Sequence, residues 1–89
     1  MTKTIWKYPV TIGGDTKLLM QEGAEFIHAG LDPTGEPCVW ALLDPNKQAD
    51  VPRNLLVIGT GRAFDQPNAK FIGSINQGPF MWHVFEEVK

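Results

Sequence analysis

The residues Gly59-Thr60-Gly61-Arg62 follow directly on the apolar run Leu55-Leu56-Val57-Ile58. Closely spaced glycines let backbone N–H groups converge on one point, and such a nest takes anions. Thr60 adds a hydroxyl, and Arg62 adds a planar guanidinium fork that suits phosphate. Phe64, two residues on, stands where it would cover an aromatic base by stacking. Together these residues point to recognition of a small nucleotide-type anion. The spacing is not that of a P-loop or a dinucleotide fingerprint, and no clear helix pattern follows. An ordinary glycine turn with a solvated arginine uses the same letters. Arg53 is the candidate second charge and Trp82 the second stacking candidate. The expected ligand set is therefore Thr60, Gly61, Arg62, Phe64, Arg53 and Trp82.

Other chemistry is poorly represented. His28 and His83 each sit beside apolar neighbours in an extended pattern, which reads as structural histidine. One cysteine and two distant histidines give no zinc spacing. Cys38 lies in the most apolar run and reads as a buried, inert thiol. Ser74 is the sole serine, and no Gly-x-Ser-x-Gly elbow is present. Asp32, Asp44, Asp50 and Asp65 fall in turn sequences, where aspartate bonds its own backbone. The expectation is a protein that is not an enzyme, with no catalytic residue, no metal and no cofactor.

The elements that must position the corner are short strands. Turn signals recur at Gly13-Gly14-Asp15, Glu22-Gly23, Asp32-Pro33-Thr34-Gly35, Asp44-Pro45-Asn46, Gln66-Pro67-Asn68 and Gln77-Gly78-Pro79. The gaps between them are too short for ordinary helices and suit strands of about 5–6 residues. Strands are predicted over 4–12, 17–21, 24–31, 37–43, 54–58, 70–75 and 80–86. This is an all-β chain, an antiparallel meander closing into a sandwich or barrel of about 6–7 strands. Trp6, Tyr8 and Val10 share one face of the first strand, and Pro9 marks that strand as an edge or a bulge. The run Cys38-Val39-Trp40-Ala41-Leu42-Leu43 predicts a central strand, with Trp40 in the core. Residues 16–31 also fit a helical stripe, but Gly23 and Gly30 and the lack of an N-cap oppose it. The segment 44–53 is expected to be the longest polar connection.

The 89 residues make a single domain, 1–89, and the 43% hydrophobic share supplies one core with apolar surface left for a partner subunit. A homo-oligomer is expected on that ground. The net charge of −2, with basic residues scattered rather than clustered, excludes long nucleic acid as a partner. No apolar run approaches the ~18–20 residues of a membrane helix, and no signal-peptide pattern opens the chain. With one cysteine there is no intrachain disulfide, and a cytoplasmic location is expected.

Several blocks carry a family likeness. Ile5-Trp6-Lys7-Tyr8, Pro37-Cys38-Val39-Trp40-Ala41-Leu42-Leu43-Asp44-Pro45, Ile58-Gly59-Thr60-Gly61, Phe71-Ile72-Gly73 and Trp82-His83-Val84-Phe85-Glu86 resemble a family of small tailed-bacteriophage or prophage proteins of undefined function. The resemblance implies phage origin and a β-rich fold, and carries no catalytic residue. That family's pattern often has His where this chain has Arg62. By analogy with other small phage proteins, the expectation is a non-enzymatic sponge in the host cytoplasm. It would sequester a nucleotide signal of host immunity. The alternative is an interaction module that inhibits a host defence enzyme through a strand edge or apolar patch. A phosphodiesterase using His28 or His83 stands third.

Overall fold

The computed structural model describes residues 2–88, and among these there are seven strands and no helix. They are β1 (Thr4–Pro9), β2 (Asp15–Gln21), β3 (Glu25–Leu31), β4 (Pro37–Leu43), β5 (Ala49–Gly59), β6 (Ala69–Gln77) and β7 (Phe80–Glu87). Two antiparallel sheets, ordered β1-β4-β3 and β2-β5-β7-β6, pack face to face. The expected all-β sandwich is what the chain forms. Its connectivity is not sequential throughout, because β2 pairs β5 and β1 pairs β4 across the chain. Only the hairpins β3–β4 and β6–β7 join sequence neighbours.

Alternation explains the layers. Val39 and Ala41 of β4 point inward, as do Leu55 and Val57 of β5, Ile75 of β6 and Val84 of β7, all without exposed surface. Each of these Val, Leu and Ile side chains contributes about 1.5–3 kcal/mol on burial. Val10, Ala29 and Ile75 join one cluster with Leu55, Val57 and Val84, while Met20, Ala24, Ala41 and Leu43 form a second. The two clusters share Tyr8, Leu18 and Phe26 at their margin. β4 is central, as its apolar run predicts. Trp40, however, is only half-buried. It lies opposite Lys7 and His28, on the face away from Val39, and tilts against the His28 ring at 5.2 Å. An apolar run alone does not tell which alternate residues point outward.

The sandwich is drawn together along one side, where β3 meets β6. A Cβ on Gly73 would stand 3.1 Å from Ala29 Cβ, so only glycine admits this approach without displacement. A register shift between Phe71 and Gly73 bends β6 into that position. On the other side, β1 and β2 are open edges. Pro9 sits in the edge strand β1 opposite Cys38, where a missing donor costs least.

Two expectations about the chain between strands change. Residues 16–31 hold β2, a turn and β3, not a helix. The connection expected over 44–53 ends at residue 48, because Ala49, Asp50 and Val51 already belong to β5 and pair toward β2. Their partner strand supplies the ladder hydrogen bonds that a polar sequence does not advertise. The longest connection is instead 60–68, which leads out of the Gly59-Thr60-Gly61 corner.

A candidate ligand site at the Gly59 corner

β5 runs out at Gly59, opposite Trp82 of β7, and the chain turns there. Arg62 N–H donates to the Gly59 carbonyl at 3.1 Å, and Thr60 N–H donates to the Met81 carbonyl at 3.3 Å. Gly61 takes φ +87°, which a side chain would resist. Two of the corner's amides are thus committed inside the protein. Gly61 N–H is the one left without a protein acceptor among the described residues. The nest predicted from the glycines shrinks to a single free amide, because the turn closes on its own carbonyl and on β7.

The side chains around the corner divide between the two faces of the sheet. Thr60 falls on the outward face with Ile58 and His83. Its Oγ1 lies 2.7 Å from His83 Nε2, and Ser74 Oγ lies 2.8 Å from His83 Nδ1. Phe64 folds back over the same face, its centroid 5.1 Å from that of Phe85, and Phe85 meets Phe71 edge-on at 5.4 Å. Phe64 and Phe71 remain 43% and 56% exposed, so the cluster presents ring surface to solvent. Arg62 is exposed and forms no ion pair among the described residues.

Two members of the expected set do not join this group. Trp82 points to the inner face, packs against the core and donates Nε1–H to Gln77 Oε1 at 3.0 Å. Its ring edge would lie 3.0 Å from a Cβ at Gly59, so the tryptophan supports the corner from beneath instead of facing a ligand. Arg62 Cγ would lie 3.7 Å from that same Cβ, so the arginine stem leaves the corner on the Trp82 side, the face opposite Thr60 and Phe64. Arg53 lies six positions back along β5, roughly 20 Å away at about 3.3 Å per residue. There it forms a two-point ion pair with Glu86 through Nε and Nη2, donates Nη1–H to the Ala24 carbonyl at 2.9 Å, and covers the Phe26 ring at 4.8 Å. The Glu86 carboxylate beside it holds the guanidinium pKa above its usual value. Arg53 is therefore a tie between the sheets at the far end and not a second ligand charge.

The main concavity also lies at the far end, not at the corner. It measures about 880 Å³, and its wall sets Lys17, Arg53 and Lys70 against Asp15, Glu86 and Glu87. Those charges balance, so the hollow offers an anion no net cationic field. The corner is an open surface with one unpaired guanidinium, one amide and exposed rings.

Another arginine-free cluster explains part of the sequence without adding a site. Asp32 accepts from Lys7 Nζ at 2.7 Å, Thr34 Oγ1 at 2.7 Å, and the Thr34 and Glu36 amides at 2.9 Å each. Lys7 beside the carboxyl, followed by the Thr34 and Glu36 donors, holds Asp32 well below the usual carboxylate range. Glu36 and the buried Cys38 stand nearby, but every Asp32 oxygen is already engaged, as a turn aspartate's are. Burial pushes the Cys38 thiol pKa up, which suits its reading as inert.

The expectation of a structural or hydrogen-bonded His83 named no partners, and the structure supplies Thr60 and Ser74. A usable signal was present in the hairpin turn: Gln77 pairs Phe80 across Gly78-Pro79, and counting back from that register sets Ser74 opposite His83. The outward position of Thr60 two residues past Ile58, itself opposite His83, needed the β5–β7 pairing, which no local turn encodes.

The fold and the corner define a small two-sheet antiparallel sandwich carrying an exposed aromatic and arginine surface at one end. The chain belongs to the family described as Domain of unknown function (DUF7352), which matches residues 1–89. No curated protein and no solved structure matches it.

Proposed function

We propose that this is a non-enzymatic binding protein whose ligand is a small nucleotide-type anion held at the Gly59 corner. The observation that carries the reading is the presence, on one clamped connection, of a guanidinium without a partner among the described residues and an exposed ring. Arg62 and Phe64 stand two residues apart, the turn before them is tied to β7, and Phe64 rests on Phe85. Arg62 with the Gly61 amide takes the phosphate, and Phe64 with Phe71 takes the base. Ligand closure between two copies would enlarge an otherwise open site, so the working form is a homo-oligomer. By analogy with small phage proteins, the proposed ligand is a nucleotide signal of host defence and the proposed setting is the host cytoplasm.

The test is a melting-temperature screen of the purified protein against cyclic dinucleotides and ADP-ribose isomers. At about a hundred times Kd a ligand adds ~2.7 kcal/mol. For a domain of this size that is a rise of roughly 10–20 °C. The binder must be recovered intact after heat denaturation, since a sponge does not cleave. Arg62→Ala should abolish the rise. A panel with no shift overturns the reading.

A second reading rests on β1, an edge strand with Ile5 and Trp6 53% and 42% exposed. An unpaired edge with apolar side chains suits strand addition by a protein partner, such as a host defence enzyme that this chain would inhibit. One stoichiometric host partner, lost on Trp6→Lys, would favour it.

A further inference from the structure

Ser74, His83 and Thr60 form one hydrogen-bonded chain on the outward face of the four-stranded sheet. Ser74 Oγ lies 2.8 Å from Nδ1, and Thr60 Oγ1 lies 2.7 Å from Nε2. The chain ends on the Met81 carbonyl, at the longer distance of 3.5 Å from Thr60 Oγ1. The relay works in the tautomer whose Nε2–H donates to Thr60 Oγ1. A neutral imidazole carries one proton, which leaves Nδ1 bare to accept Ser74 O–H. The result is a nucleophile on a base, with the base oriented by a third group.

The surroundings favour a flat or apolar substrate. Ser74 is half-buried on β6, the edge strand of its sheet. Phe85 is the next outward residue along β7 from His83, and Phe71 lies across from it on β6. Phe64 covers the same cluster. An acyl or aryl group laid on these rings would bring a neighbouring carbonyl toward Ser74.

We propose that Ser74 is an activated nucleophile that accepts acyl groups from reactive esters bearing a flat apolar group. His83 is the base, and Thr60 is a positioning residue. Ser74 Oγ bonds to the carbonyl carbon while its proton passes to Nδ1. The bond to the leaving alkoxide then breaks, and the alkoxide takes that proton from His83. An acyl-Ser74 ester and a free alcohol result; water then attacks the acyl carbon, gives its proton to Nδ1, and Ser74 Oγ leaves with that proton, releasing a carboxylic acid. Of the corner amides, Thr60 N–H and Arg62 N–H are bonded to Met81 and Gly59, which leaves Gly61 N–H alone without an acceptor among the described residues. Each lost oxyanion donor slows acyl transfer about 10²–10³-fold. The inference is therefore slow, stoichiometric capture and not rapid turnover; it shares the Phe64 and Phe71 rings with the anion reading but needs neither Arg62 nor the Gly61 amide.

The experiment treats the full chain with an alkyl fluorophosphonate. The P–F bond breaks, Ser74 Oγ bonds phosphorus, fluoride leaves and the proton passes to His83 and then to solvent. One adduct per chain is expected on the peptide holding Ser74, the sole serine. Ser74→Ala should give none. His83→Gln and Thr60→Val should each slow labelling at least tenfold, and Thr60→Ser should restore the rate. Thermal melts establish that each variant is folded. The proposal is overturned by no adduct on the folded parent, by an adduct elsewhere, or by unchanged labelling in folded His83→Gln.

Discussion

Arg53 lies in the middle of β5 and Arg62 just past its end, and they have nothing in common beyond their side chain. Arg53 is 18% exposed at its side chain, holds Glu86 at two points, caps the Ala24 carbonyl and covers Phe26. Every donor direction it uses points into the protein, and it ties β5 to β7 and to the opening of β3. Arg62 is exposed and lies past the last strand residue, with only its stem against Gly59. A guanidinium with its fork occupied stabilises the fold and is lost to ligands. One with its fork open contributes little to the fold and remains available. Partner inventory, and not residue type, separates a structural cation from a binding one.

The largest effect should come from removing the occupied one. Arg53→Ala leaves the Glu86 carboxylate, itself 12% exposed at its side chain, without its cation and frees the Ala24 carbonyl. Breaking a semi-buried pair of this kind costs about 2–4 kcal/mol. That corresponds to a fall in melting temperature of roughly 10–25 °C for a domain of this size. Urea and thermal melts check it. A loss under about 1 kcal/mol would break the contrast between the two arginines.

The Lys7–Asp32 pair is the intermediate case, with a 43% exposed cation against a carboxylate side chain that is 2% exposed. Its signature is pH dependence. The folded-state pKa of Asp32 is depressed by Lys7 and the turn donors, so its contribution is present above the unfolded value of about 3.9. That contribution is lost as pH falls through the lower folded value. Urea midpoints of the parent should fall across that acid window. Asp32→Asn should start lower at neutral pH and converge with the parent in acid. Parallel curves for parent and variant would show that the pair does not act through ionisation.

How far the sequence disclosed these roles depends on which interaction sets each one. The strands were legible because turn residues punctuate the chain at short intervals and apolar alternation fills the gaps; β4 matches its predicted bounds of 37–43. The start of β5 was not, because Asp50, Pro52 and Arg53 look like loop residues until β2 pairs with Pro52 and Arg53 and takes Asp50 into a register shift. The turn at Gly59–Gly61 was legible from its glycines; that Thr60 meets His83 and Phe64 rests on Phe85 was not. Trp82 was misplaced because inward or outward orientation on β7 follows from sheet stacking. Arg53 was misplaced because Glu86 is far away in sequence and comes alongside only through the β5–β7 ladder. Long-range register decides both, and no local pattern carries it.

A smaller effect should follow from Phe64→Ala. The ring is 43% exposed and sits on Phe85 at 5.1 Å. An aromatic pair of this kind is worth about 0.5–1.5 kcal/mol beyond area burial. A total loss of about 1–2 kcal/mol is expected, with faster amide exchange confined to 60–68. Uniformly faster exchange over all strands would mean that the connection is a core element, and the corner would lose its standing as a separable surface.

The smallest stability effect belongs to Arg62→Ala, and that is what makes it decisive. An exposed side chain without an ion pair should change unfolding free energy by no more than about 0.5 kcal/mol. Any ligand-induced rise in melting temperature should nevertheless disappear, because the guanidinium is the corner's single cation in the proposed contact. The same measurement on Arg53→Lys should keep the rise while lowering the ligand-free baseline, since Lys retains the charge but not the fork. A cross-over, with Arg62→Ala unfolding the protein or Arg53→Lys removing the ligand response, would place the binding chemistry at the mixed-charge hollow instead. The corner would then be an ordinary turn.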